Sequence, residues 1–307
     1  MKKVLVTGSL GFIGTNLIKN SLMSCYHIEG LDSLVSSSQN LKYTPDILHH
    51  KFDLSDATRL ESLIQNFDCV VHLAAAGNVV DSIADPLSNF DSNVRATINV
   101  LEAMKKSTCK NIVFASTGGA LMGRAPLPVS ESSLPSPISP YGASKLACEG
   151  YINAYCESYG LNACIFRFGN VYGPYSSHKK GVVNTWIKRA KAGKCIEIYG
   201  DGSSSRDYVH SSDLTNGIAQ GVNSLLEGKI IGADIFHLSS ERQTTLLDLY
   251  KILESHFKSI EAPEFLASRA GEVDFNYANC TKARKELGYR PLVSFEQGIS
   301  DLIQSLD

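Results

Sequence analysis

This sequence predicts an α/β fold, a doubly wound parallel sheet followed by a smaller C-terminal lobe. Three observations carry the prediction. Short apolar runs alternate with longer amphipathic ones across residues 1–170. The short runs are apolar almost throughout, as strands covered on both faces are. Beyond residue 170 the rhythm gives way to Gly/Ser-rich loops, "GPYSSHKKG" and "GDGSSSRD". The 307 residues suffice for one large α/β unit with an added lobe.

Taken in order, "KVLVT" (3–7) reads as a buried strand and "GFIGTNLIKNSLM" (11–23) has helical spacing. "YHIEGLD" (26–32) and "DILHHKFD" (46–53) read as strands, "DATRLESLIQNF" (56–67) as a helix and "CVVHLAA" (69–75) as a strand. Pro86 opens a long helix over 86–106, since proline suits a first helical turn. "NIVFAST" (111–117) is the next strand. A second long helix over 141–160 stops at Gly160, before a strand over 162–170. Right-handed crossovers between such strands give a Rossmann-type sheet. Helical patterns recur at about 181–193, 211–226, 244–258 and 293–306. Residues 1–170 are read as the sheet domain, with a segment at about 205–240 returning to it, and 171–307 mainly as the smaller lobe.

Composition excludes several classes. Lysine and arginine number 29 against 31 acids, so there is no basic footprint for nucleic acid and no polybasic run for a membrane surface. No apolar stretch is long enough to span a bilayer, and "MKKVLVTG" runs into glycine too soon for a signal peptide. The eight cysteines form no C-x-x-C pair and the eight histidines are scattered, so reduced thiols in a cytoplasmic protein are expected and no metal site is.

"TGSLGFIG" (7–14) places Gly8, Gly11 and Gly14 between a strand and a helix. One glycine permits the tight turn, one lets a phosphate approach the backbone, one lets the helix pack on the strand. The helix N-terminus then faces a diphosphate with free N–H groups. The spacing is G-x-x-G-x-x-G, and a purely structural turn is the alternative. An acid at the end of the next strand, Asp32, is placed to accept from an adenosine ribose and to repel a 2′-phosphate, which favours NAD over NADP. Asp53, followed by Leu54, contacts the adenine or caps the helix after it.

"SPYGASK" puts Tyr141 and Lys145 four apart, on one helix face. A phenol is a poor base at neutral pH, but a nearby ammonium and a positive nicotinamide ring favour the phenolate. Tyr141 then exchanges a proton with a substrate hydroxyl while hydride moves to or from the nicotinamide. A helix-face pair without chemistry is the bland alternative. "FASTGG" ends the preceding strand with Ser116 and Thr117 near the cofactor.

With these motifs in place, the sequence resembles an extended short-chain dehydrogenase/reductase, of the NAD-dependent epimerase/dehydratase family acting on nucleotide sugars. "TGSLGFIG", "FDLSD", "VVHLAA", "FASTGGA", "PYGASK", "RFGNVYGP", "IYGDGSSSRDYVH" and "RAGEVDFNYANCTKARKELGYRP" carry the resemblance along nearly the whole chain. It implies that Thr117 is the hydroxyl of a Thr–Tyr–Lys set, with Ser116 as its alternative, Tyr141 the base, and Lys145 its pKa partner and ribose anchor. It implies that Gly8, Gly11, Phe12, Ile13 and Gly14 wrap the NAD diphosphate, and that Leu73, Ala74 and Ala75 line the dinucleotide. It makes residues 1–170 the NAD-binding domain and 171–307 mainly a substrate-binding lobe. Asn170, Arg206 and Arg269 match positions that hold the substrate diphosphate, a group suited to guanidinium forks; a surface ion pair, such as Arg206 with Asp207, is the alternative.

The 4,6-dehydratases of the family follow the hydroxyl residue with an Asp–Glu pair, whereas Gly118 and Gly119 stand here. The resemblance is therefore to the 4-epimerases of UDP-glucose or UDP-N-acetylglucosamine type. It implies transient C4 oxidation, rotation of the keto sugar and return of the hydride, on a UDP-hexose, UDP-N-acetylhexosamine or uronate. Keto-sugar reduction, uronate decarboxylation, an unusual dehydration and a non-catalytic NAD-binding sensor are the other readings. Met122 stands where the family often has tyrosine, which reshapes the sugar pocket or is neutral repacking. The family commonly forms homodimers through two long helices, here 86–106 and 141–159.

Overall fold

The computed structural model describes residues 1–33, 38–179, 181–257, 260–267 and 276–305. Strands β1 (Lys3–Thr7), β2 (His27–Asp32), β3 (Leu48–Lys51), β4 (Cys69–His72), β5 (Asn111–Thr117) and β6 (Asn162–Phe168) carry the expected alternation. Four short strands follow, β7 (Asn170–Tyr172), β8 (Glu197–Tyr199), β9 (Ser205–Arg206) and β10 (Tyr208–His210), and then β11 (Ala233–Leu238) completes the main sheet. Its order is β3-β2-β1-β4-β5-β6-β11, all parallel. The order reverses between β1 and β4, which opens a crevice at the C-terminal ends of those strands. This is the Rossmann-type doubly wound sheet that the rhythm of the sequence predicts.

Both faces of the sheet are covered. Helices α1 (Phe12–Ile18) and α2 (Ala57–Ile64) lie on opposite sides. Val4 and Val6 join one core with Leu17, while Leu5 between them joins the other with Leu60 and Ile64. Burial on both faces explains why these strands read as continuous apolar runs. β11 escaped the sequence reading because Asp234 and His237 interrupt its apolar run. In the sheet His237 pairs in register with Arg167 and is fully buried.

Helices depart from the expected bounds where polar side chains intervene. The helix expected over 11–23 ends at Ile18, because Asn20 turns its carboxamide to the Leu22 N–H (2.9 Å) and caps a separate short turn. The same side chain donates to Thr215 and Asn216, both at 2.9 Å. An unforeseen helix α3 (Val79–Ala84), capped by Asn78, precedes α4 (Pro86–Phe90). The helix expected over 86–106 is α4, one wide π turn (Asp91–Arg95) and α5 (Ala96–Lys105). Short α6 (Gly119–Met122) follows β5, and α7 (Pro140–Tyr159) ends at Gly160 as expected.

Helices α8 (Val182–Lys191), α9 (Ser211–Leu226), α10 (Leu246–His256), α11 (Thr281–Glu286) and α12 (Phe295–Ser305) complete the described chain, with a short strand β12 (Thr244–Thr245) before α10 and β13 (Glu264–Leu266) after it. α9 packs on the main sheet through Leu214, Ile218 and Val222. A separate core gathers Trp186, Ile187, Ile198, Tyr208, Leu249, Phe295 and Leu302, with the Tyr208 and Phe295 rings stacked at 4.9 Å. Asp213 of α9 accepts from the Leu292 and Val293 N–H groups (3.0 and 2.9 Å), which ties the segment before α12 to the sheet-bound helix. Among the described residues no helix is long and apolar enough to cross a membrane.

Two histidines inside the fold predict its acid behaviour. Burial pushes His72 down to about 3 and His237 down to about 4, and Lys145 and Arg167 respectively push the same way. The unfolded chain takes up these protons near the ordinary value of 6.5, which the folded chain refuses. The stability they contribute is fully present above that value and is lost as pH falls below it. The urea midpoint at about pH 5 is expected below that at about pH 7.5; an equal or higher midpoint at the lower pH would contradict it.

Candidate active site

The glycine turn joins β1 to α1 at the crevice. Gly8 adopts φ 67°, a left-handed conformation, and its N–H bonds the Leu31 carbonyl of β2 (2.8 Å). A Cβ there would stand 2.8 Å from the Ala74 nitrogen, so the loop after β4 lies directly against the turn. A Cβ on Gly14 would collide with the Gly8 carbonyl oxygen. Gly11 caps α1 without a side-chain bond. Phe12 is buried and Ile13 half-buried against the core.

Asp32 ends β2 nearly buried beside this turn and accepts from the Leu10 N–H at 3.1 Å. Glycines where any Cβ would clash, a helix start with no side-chain cap and an acid at the neighbouring strand end are the donor set and cradle that a dinucleotide diphosphate and ribose require. Asp53 accepts from the Ser55 N–H (2.9 Å) and so braces the turn before α2, whose cap is Asp56. Leu54 is buried behind it.

A buried polar chain fixes the loop after β4. The Thr97 hydroxyl donates to the Asn93 carbonyl (2.6 Å), so it accepts from His72 Nε2–H (3.2 Å). His72 Nδ1 then accepts from the Thr7 hydroxyl (2.7 Å), and Thr7 Oγ1 accepts from the Ala74 N–H (3.3 Å). Asn93, in the wide turn, accepts from the Ala76 N–H (2.8 Å) and donates to the Ala76 carbonyl (3.2 Å) and to Ser144 Oγ (3.0 Å). Leu73 bonds Thr7, and Ala75 between these anchors is exposed. Sequence reasoning missed His72, Asn93 and Thr97; their only signal is polarity at core-facing positions.

α7 carries Tyr141 and Lys145. Ser139 caps the helix by accepting from the Gly142 N–H (3.2 Å), with Pro140 in its first turn. Gly142 is required because a Cβ would collide with the Ala120 carbonyl of α6. Lys145 is buried, donates to the Ala115 carbonyl (2.8 Å) and lies over the Phe114 ring. Burial lowers its pKa to about 8, against the raising effect of Cys148 and Glu149. Tyr141 is hydrogen-bonded to Thr117, and its hydroxyl lies 4.0 Å from where a Cβ of Gly77 would stand.

Burial pushes the Tyr141 phenol up to about 12, and the Thr117 bond only partly offsets this. The expected lowering by Lys145 is not seen: its ammonium is spent on Ala115, and burial dominates. Ser116, the alternative hydroxyl, points instead into the interior and donates to Glu149 (2.5 Å). Neighbouring residues of a strand face opposite ways, so Thr117 and Ser116 go to different partners.

A cavity of about 350 Å³ is lined by Asn170, Arg206, Trp186, Tyr199, Tyr208, Arg189 and Glu197 among others. Asn170 and Arg206 meet there as expected. The Arg206–Asp207 alternative is not what occupies Asp207, which accepts from Ser240 (2.8 and 2.7 Å) and from the Ala278 N–H (3.2 Å). Trp186 and the two tyrosines were not foreseen; they come from α8, β8 and β10, which only the fold brings together. Arg269 lies outside the described residues. Met122 is fully buried in a small core with Leu121, Val129 and Ala278, which favours repacking over a reshaped pocket. Among the described residues no cluster of three His, Cys, Asp or Glu suits a metal.

Comparisons with known proteins identify the family and match the fold. The sequence model described as "NAD dependent epimerase/dehydratase family" matches residues 4–231. The UDP-glucose 4-epimerase of Mycolicibacterium smegmatis is 32% identical over 311 residues, covering 98% of this chain and 97% of that protein. The crystal structure of the Thermotoga maritima UDP-glucose 4-epimerase with UDP-glucose superposes with a TM-score of 0.91 at 30% identity, over 99% of this chain and 98% of that one. The Bacillus cereus UDP-glucuronic acid 4-epimerase, in complex with UDP-glucuronic acid and NAD, gives 0.90 at 29%, with the same coverage.

The packing at the glycine turn yields a direct test. Gly14→Ala forces a Cβ against the Gly8 carbonyl, which backbone movement alone relieves, so a loss of ~1–3 kcal/mol in stability is expected by denaturant titration. Unchanged stability would contradict the close approach.

Proposed function

The chain belongs to the NAD-dependent epimerase/dehydratase family, and on that premise we propose that it is a UDP-sugar 4-epimerase whose chemistry runs through Tyr141, Thr117 and Lys145. The observation that carries the reading is the hydrogen bond between Thr117 and Tyr141, with the Tyr141 hydroxyl beside Gly77 of the loop after β4 and glycines rather than acids at 118 and 119. UDP-glucose, UDP-N-acetylhexosamines and UDP-uronates are the candidate substrates.

NAD, when bound, supplies the hydride chemistry at C4 of the hexose. The residues do the rest. Gly8, Gly11, Phe12, Ile13 and Gly14 seat its diphosphate, Asp32 takes its adenosine ribose, and Leu73 to Ala75 line it. Asp53 and Leu54 shape the adenine end through the turn before α2. Tyr141 removes the 4-hydroxyl proton and later restores it, with Thr117 sharing the hydrogen bond. Lys145 anchors the cofactor ribose, and the charge that would favour the phenolate against burial is that of the bound nicotinamide ring. Asn170, Arg206 and Arg269 hold the UDP diphosphate in the lobe formed mainly by 171–307, and 1–170 with the returning segment near 205–240 forms the NAD domain. The test is turnover: Tyr141→Phe is expected to lower kcat ~10²–10⁴-fold while NAD stays bound. Failure of the intact enzyme on the whole UDP-sugar panel would remove the reading.

We also propose a homodimer, working in the cytoplasm. α7 exposes Ala143, Gly150, Tyr151 and Ala154, and nothing lies within 4 Å of a Cβ built on Gly150. Val80, Ile83, Leu87 and Phe90 are exposed on the neighbouring α3 and α4. A glycine in an exposed helix interior costs ~1 kcal/mol against alanine, which close approach of a second helix offsets. The eight free cysteines, six of them buried, suit a reducing compartment. Ala154→Arg is expected to convert a dimer to a monomer in solution scattering; a monomeric wild type would overturn this part alone.

A further inference from the structure

Glu149 stands one helical turn beyond Lys145 on α7 and is buried. Its two oxygens receive a fork from Arg167 of β6, Nε to Oε1 at 3.1 Å and Nη2 to Oε2 at 2.7 Å. Both side chains are 4% exposed. Oε1 also accepts from Ser116 of β5 at 2.5 Å. Arg167 precedes Asn170 by three residues, and Ser116 immediately precedes Thr117. One carboxylate thus joins three elements: α7, which bears Tyr141 and Lys145, β5, which ends at Thr117, and β6, which leads into Asn170.

We propose that Glu149 is a positioning residue: with Arg167 and Ser116 it locks the helix bearing Tyr141 and Lys145 onto the strands that deliver Thr117 and Asn170. The inference rests on the 4-epimerase reading for its chemistry but not for its geometry. A buried ion pair is a weak source of net stability, since desolvation offsets most of the attraction. It is a strong source of register, because the fork fits in one orientation only. Displacing a reacting group by an ångström is enough to slow a reaction by orders of magnitude.

The pair also acts on charge. Around Lys145 the titratable groups are Tyr141, Cys148 and Glu149 on its own helix and neutral His72 on β4; β5 presents the Phe114 ring and the Ala115 carbonyl. Arg167 faces Glu149 from β6. Cys148 and, after it, the Glu149 charge hold the Lys145 pKa up against burial. Removing the Glu149 charge lowers the pKa further, so the ammonium is lost at lower pH.

The test uses the enzyme as purified, with its cofactor. Glu149→Met combined with Arg167→Met removes both charges and leaves neither unpaired. The expected result is a folded enzyme with kcat down ~10-fold or more, KM within about threefold, and the Lys145 titration in ¹⁵N-lysine NMR moved to lower pH. Wild-type kcat together with an unmoved Lys145 midpoint would overturn the proposal. Ser116→Ala, which leaves the ion pair whole, keeps the test open should the Met pair not fold: kcat down about 2–5-fold at constant KM supports the register role, and unchanged kcat speaks against it. The NMR midpoint needs no turnover, so wild-type inactivity on every UDP-sugar removes the 4-epimerase reading and leaves the Lys145 comparison standing.

Discussion

The register of α7 against the sheet is the constraint on which the site depends. The helix is fixed at successive turns by bonds of different kinds. Gly142 lies against the Ala120 carbonyl, Ser144 receives Asn93, Lys145 reaches the Ala115 carbonyl and Glu149 takes the Arg167 fork. A shift of one residue along α7 would break all four at once. The hydrophobic face alone would not choose between such registers, because apolar packing is non-directional.

The polar chain from Ala74 to Asn93 works in the same manner on the other wall. Buried polar groups cost free energy unless each finds a partner. Here the donors and acceptors run in one sense, from the Ala74 N–H through Thr7, His72 and Thr97 to the Asn93 carbonyl. His72 stays neutral throughout, which this directional chain requires. Asn93 thereby ties the loop over the glycine turn to Ser144 of α7, the helix that bears Tyr141.

Much of this was legible in the sequence, and the limits have physical causes. The strands β1, β2 and β5 stand within a residue of expectation because burial on both faces makes their runs apolar. The long helix over 86–106 was legible as helical, but not its wide turn, since Asn93 gives no sign in sequence that it will bond to the Ala76 loop. Tyr141 and Lys145 were marked by their spacing on one helix face, and Thr117 by the family resemblance at the preceding strand end. Ser116 stood as the alternative hydroxyl and Met122 as either a pocket residue or neutral repacking, because spacing does not say which way a side chain points. Trp186, Tyr199 and Tyr208 come from separate elements, and nothing local announces that they share a cavity.

The contact between Gly142 and Ala120 bears on how relatives of this chain are to be judged. The glycine inside "PYGASK" reports where α6 sits, not what Tyr141 does. A descendant that had abandoned catalysis but kept its shape would keep that glycine while its phenol and ammonium drifted. A similarity score that rewards the whole hexapeptide mixes a packing requirement with a chemical one. In genome surveys, therefore, the glycine between 141 and 145 tracks the packing of α6, while the identities at 141 and 145 bear on the proposed chemistry.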